Sequence, residues 1–126
     1  MNSFPKPFKN YTRDHTGIFF KLQEQNRHFM IIVHDIFVAK PGNASKLAKM
    51  FKEATKESPD VKNILTDMTG AYNRVIMVTE YDNLGAYEKN WDKMKENPEA
   101  MKKMEEAMKG YQDMYLTGSR EIFQVW

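Results

Sequence analysis

The chain has 126 residues, 41% apolar and 29% charged, with a formal net charge of +2. That is the balance of one ordinary globular domain, and near-neutrality removes the electrostatic footprint of a nucleic-acid binder. There is no cysteine, which excludes disulfides, thiolate metal sites and cysteine nucleophiles.

Residues 1–28 read as an N-terminal arm. The opening stretch MNSFPKPFKNYTRDH has no apolar h-region, and no run in the chain approaches the ~18–20 apolar residues of a membrane span. A soluble, cytoplasmic protein is the expectation. Within the arm, Gly17 to Leu22 is apolar and aromatic enough for a short strand.

Residues 29–126 read as the folded domain. Met30-Ile-Ile-Val-His-Asp-Ile-Phe-Val-Ala39 is apolar on both faces, so it belongs at the centre of a covered sheet. Pro41-Gly42 breaks it, and Asn43 is placed to cap a helix in which Ala44, Leu47, Ala48, Phe51 and Ala54 recur at helical spacing. That pattern predicts about four turns, stopped by Ser58-Pro59. Val61–Thr69 and Arg74–Tyr81 read as an antiparallel hairpin around Gly70–Asn73.

Asp82 or Asn83 caps the next helix, with Leu84, Tyr87, Trp91 and Met94 on its apolar side. Asn97-Pro98 is a cap followed by proline at the first helical position, so a further helix starts there. It carries Met101, Met104, Met108, Tyr111 and Tyr115, with Gly118 as its stop, and Glu121–Trp126 is the last strand. The order strand, helix, strand, strand, helix pair, strand predicts an α+β, ferredoxin-like βαββαβ fold. Its antiparallel four-stranded sheet has the first and third strands in the middle.

Both helical segments then fall on one face of the sheet. The other face would expose an apolar patch beyond the few hundred Å² that monomers tolerate, which predicts a homodimer closed through the helix-free face. Side chains alternate along a strand, so His34 and Asp35 point to opposite faces. We expect Asp35 on the helix-free barrel face and His34 under the helices.

The element order, the strand-to-Pro-Gly entry Val38-Ala-Lys-Pro-Gly42 and the tryptophan within Tyr87-Glu-Lys-Asn-Trp91 resemble the dimeric α+β barrel superfamily. That group includes antibiotic-biosynthesis monooxygenase-like, heme-degrading and NIPSNAP-like proteins. The resemblance covers residues 29–126. For the heme-degrading branch it implies an asparagine where this chain has Asp35, a tryptophan at Trp91, and a heme-ligating histidine near Met101. No histidine follows His34, so no heme is expected. For the monooxygenase-like branch the resemblance implies cofactor-independent action on a hydrophobic planar small molecule.

Asp35, Trp91 and Tyr81 are the catalytic candidates. Asp35 serves as a general base, or is glued to Arg74 or Arg120 as a structural pair. His34, Phe37, Arg74, Glu80, Tyr87 and Met94 are the ligand-binding candidates. His34 also reads as a hydrogen-bonded core residue, and the aromatics as plain core. Met94, Met101, Met104, Met108 and Met114 are either an adaptable ligand wall or gap-filling core. No two of the three histidines stand at helical spacing, so no metal is expected, and no cofactor is expected either. A monooxygenase-like enzyme or isomerase and a non-catalytic ligand-binding or structural homodimer are the two functions this sequence carries.

Overall fold

In the computed structural model, residues 29–126 are described. They run β1 (Ile31–Ala39), α1 (Ala44–Ala54), β2 (Val61–Thr66), β3 (Arg74–Tyr81), α2 (Leu84–Glu96), α3 (Pro98–Ala107), a 3-10 turn (Tyr111–Asp113) and β4 (Tyr115–Gln124). The four strands form one antiparallel-paired sheet in the order β2-β3-β1-β4, and the three helices cover one face of it. This is the expected α+β, ferredoxin-like arrangement. The expected strand Gly17–Leu22 lies outside the described residues.

Local signals account for most boundaries. Asn83 accepts a hydrogen bond from the Ala86 amide at 2.8 Å, and Asn97 accepts one from the Ala100 amide at 3.2 Å. These side chains satisfy amides that a helix start leaves unpaired. Asn43 departs from expectation, because its side chain makes no capping bond. Its backbone carbonyl accepts from the Leu47 amide at 2.9 Å instead. α1 is also shorter than expected, with 11 residues, which is about three turns. It ends where Thr55 turns its hydroxyl back onto the Phe51 carbonyl at 2.7 Å.

The end of α3 needs a larger correction. Gly118 does not stop it. Gly110 does, with φ at 85°, a conformation that glycine adopts without a Cβ penalty. β4 therefore begins at Tyr115 and is ten residues long. Gly118 sits inside it, directly across from Phe37.

The hydrophobic core lies between sheet and helices in two clusters. One is built on Ala39, Leu47, Phe51 and Val75, with Phe37, Met108 and Tyr115 packed against it. The other is built on Ile31, Val33 and Tyr87, with Tyr81, Trp91 and Ile122 against it. Leu47 and Phe51 are essentially inaccessible, and burying each contributes about 1.5–3 kcal/mol.

These clusters fix which face is which, and they reverse one expectation. Ile31, Val33, Phe37 and Ala39 point at the helices, so Asp35, sharing their parity, is on the helix side as well. His34 is on the helix-free face, where its ring meets Phe123 edge-on at 5.0 Å. Both faces of β1 are apolar, so hydrophobicity could not break the tie; the packing of Leu47, Phe51 and Tyr87 from the helices does. The helix-free face carries Ile32, His34, Ile36 and Val38 from β1 and Ile76 from β3, with Leu65 and Phe123 among the exposed large apolar residues.

Candidate functional site

Between the two core clusters the sheet and helices do not close on each other. A cavity of about 390 Å³ remains. Its floor is Asp35 and Phe37 of β1, Met77, Thr79 and Tyr81 of β3, and Arg120 of β4. Its roof is Tyr87, Asn90, Trp91 and Met94 of α2, with Ala100, Met101, Met104 and Met108. The rim runs from Ala54 to Val61 along the α1–β2 connection. Across that rim Lys103 reaches Glu57 at 3.7 Å, with both side chains about three-quarters exposed. An ion pair in that setting contributes little to stability.

The polar centre is an ion pair. β1 and β4 place Asp35 directly opposite Arg120, and Arg120 Nε donates to Asp35 Oδ1 at 2.5 Å. The guanidinium also lies 5.4 Å above the centre of the Trp91 ring, within range of a cation–π attraction. Burial weakens the Arg120 charge, but the adjacent Asp35 carboxylate outweighs that, and the guanidinium is held even more firmly protonated than usual.

Around this pair stand three aromatic rings. Tyr81 meets Tyr87 edge-on at 5.1 Å, and Tyr87 meets Trp91 at 6.4 Å. Asn90 donates its amide to the Tyr81 hydroxyl at 3.3 Å. Burial pushes the Tyr81 phenol up, helped by the Asp60 charge and opposed by Thr79. Burial raises the Tyr87 phenol too, against the pull of the Trp91 N–H and the Arg120 charge. That indole N–H is shut away from solvent and makes no hydrogen bond of full geometry among the described residues. A carboxylate and guanidinium facing flat, apolar walls suit a planar ligand that carries one acidic hydroxyl or carbonyl.

Six of the nine catalytic and ligand-binding candidates therefore meet at one place: Asp35, Phe37, Tyr81, Tyr87, Trp91 and Met94. Three do not line this cavity. His34, Arg74 and Glu80 have the opposite parity and fall on the helix-free face or its edge. Arg74 is engaged at the β2–β3 turn, where its Nη2 meets Asp67 Oδ1 at 3.0 Å and its backbone amide donates to Asp67 Oδ2 at 2.9 Å. That leaves Arg120 as the partner of Asp35. Glu80 lines an adjoining polar groove beside Asp60, Lys62 and Asp82.

Asn90, Thr79 and Met77 were not anticipated. A signal for Asn90 was present: Tyr87, Asn90 and Trp91 stand at i, i+3 and i+4, which puts them on one helix face. Thr79 and Met77 share the parity of Tyr81, but the register to Asp35 that brings them in spans the sheet. Met94, Met101 and Met104 line the cavity, Met108 both lines it and packs against the first core cluster, and Met114 packs against that cluster alone.

No protein-family model matches this sequence, and no curated protein does. The fold has relatives among solved structures. One is a NIPSNAP family protein from Agrobacterium tumefaciens, at TM-score 0.63 and 14% identity, covering 79% of this chain and 88% of that one. Another is an uncharacterised NIPSNAP-like domain protein from Burkholderia xenovorans, at TM-score 0.58 and 16% identity, covering 79% and 87%. A third is a candidate antibiotic biosynthesis monooxygenase from Chloroflexus aurantiacus, at TM-score 0.53 and 10% identity, covering 77% and 93%. At these identities the likeness is one of fold, and it is the fold that the sequence resemblance implied.

Proposed function

We propose that the protein is a homodimer, closed through the helix-free sheet face, in which each protomer binds a hydrophobic planar small molecule and acts on it as a cofactor-independent monooxygenase or isomerase. The carrying observation is the 390 Å³ cavity whose aromatic and thioether walls surround the Asp35–Arg120 ion pair. In this reading the ligand lies flat between Trp91, Tyr87 and Phe37. Its acidic hydroxyl loses a proton to Asp35, the electron pair stays on the ligand oxygen, and Arg120 pairs with the resulting anion. The delocalised anion then either bonds through carbon to dioxygen, giving after protonation a hydroperoxide whose O–O bond breaks with loss of water to leave a new carbonyl, or regains a proton at carbon, which is isomerisation. The fold shared with the Chloroflexus protein supports the oxygenase branch.

A second reading keeps the dimer and the ligand without turnover. It is favoured by the same ion pair taken as glue, since the Asp35 carboxylate is already engaged by the Arg120 guanidinium. The two separate by experiment. With Trp126→Phe leaving Trp91 as the fluorescent reporter, naphthols and quinols are titrated and then assayed for oxygen uptake and isomerisation. Asp35→Asn is expected to cut turnover by about 10²–10⁴-fold while quenching of Trp91 by ligand persists. Binding with no turnover of any compound by the parent chain selects the second reading. Absence of binding ends both.

A further inference from the structure

Ten residues of the chain are methionine and none is cysteine, so its only readily oxidised sulfur is thioether. Four of these methionines occupy an unusual position. Met94, Met101, Met104 and Met108 line the inner cavity. The same four also line an outer groove of about 550 Å³, together with Tyr111 and Gln112. They form a wall one side chain thick, with the cavity on one side and solvent on the other. Met101 and Met104 are three positions apart and Met108 four further on, which stacks them along one face of α3 and its C-cap. α3 has no buried residue, and Met101 is 36% exposed.

We propose that this wall is an oxidative modification site, and that a peroxide acting from the outer groove controls occupancy of the inner cavity. The inference rests on the cavity being a ligand site. A thioether lone pair attacks one oxygen of hydrogen peroxide and the O–O bond breaks. The sulfur keeps that oxygen as a sulfoxide, and the other oxygen leaves as water with both protons; sulfur loses two electrons and peroxide gains them. An unbranched apolar side chain becomes a polar one. Met101 reacts first because it is the most exposed of the four, and Met104 follows. Their sulfoxides place an uncompensated dipole against the apolar ligand. Met68, 97% exposed at the β2–β3 turn, oxidises before any of the four but touches neither space.

The test uses the full chain carrying Trp126→Phe, with 2-naphthol as ligand and Trp91 fluorescence as readout. Graded hydrogen peroxide is applied, and each methionine is followed by peptide mass spectrometry. The dissociation constant is expected to rise about tenfold, the cost of burying one poorly satisfied polar group, in step with sulfoxide at Met101 and Met104. Methionine sulfoxide reductase restores it. Met68→Leu retains the full response. In the Met101→Leu, Met104→Leu double variant, a volume-conserving exchange, the affinity measured before peroxide does not move after it. An affinity that is unchanged with both methionines fully oxidised overturns the proposal. So does a double variant that still responds. Failure of 2-naphthol to bind the untreated chain overturns the ligand reading of the cavity and this proposal with it.

Discussion

The two faces of the sheet are made from the same strands and nearly the same residue types, yet they carry different things. The helix side holds both core clusters, the cavity and the Asp35–Arg120 pair. The helix-free side holds isoleucines and valines around one histidine, with no element of the described chain above it. Apolar composition therefore does not by itself mark a core. What separates the faces is what the rest of the chain can bring over them, and that is decided by two crossovers rather than by the strands.

The comparison is broken or sharpened by substitution on either side. The largest effect is expected on the helix side. Phe51 is 1% exposed and joins α1 to the sheet, so Phe51→Ala should cost about 3–5 kcal/mol, read as a drop in the urea midpoint at constant slope. Ile36 is the helix-free counterpart. Under the proposed dimer, Ile36→Asp buries an unpaired charge at the interface once per protomer. It should raise the dimer dissociation constant by at least about a hundredfold, seen by sedimentation at micromolar concentration, with only a small change in unfolding of the dissociated chain. A parent chain that sediments as a monomer removes the second covered face altogether.

The smallest effect concerns the two phenols on the helix side. Burial raises Tyr81 and Tyr87 in the folded chain, so the folded state keeps protons that the unfolded state releases. The stability they contribute is intact below the ordinary phenol value of about 10 and is lost as pH rises through the folded values. Replacing both with phenylalanine should flatten the fall in the urea midpoint between about pH 9 and pH 11. An unchanged slope would place the alkaline loss elsewhere.

How far the sequence could be read follows the range of each interaction. Caps at Asn83 and Asn97, the Pro98 start and the hairpin turn act over three or four residues, and each was visible in the chain. The element order followed from them. Two things needed information that spans the sheet. The side on which Asp35 points depends on which face the two crossovers cover with helices, because Val33 and Ile32 are equally plausible core residues. The length of β4 was hidden because Leu-Thr-Gly-Ser-Arg has neither the alternation nor the β-branched density of a strand; its partner β1 supplies what its own residues lack. The same long-range register explains why Arg74 and Arg120 were equal as partners for Asp35.

The Asp35–Arg120 contact joins positions 85 apart in the chain, while the Arg74–Asp67 clamp joins positions only seven apart. Loop closure costs more as the intervening chain lengthens, and such contacts form late. The β2–β3 hairpin can therefore close on its own while the cavity still has no floor beside Trp91. Only the docking of β4 brings Arg120 to Asp35. Under the proposed ligand reading, ligand recovery after dilution from denaturant should therefore follow that last strand rather than the return of helix, and occupancy of the cavity would be a clock on the completion of folding.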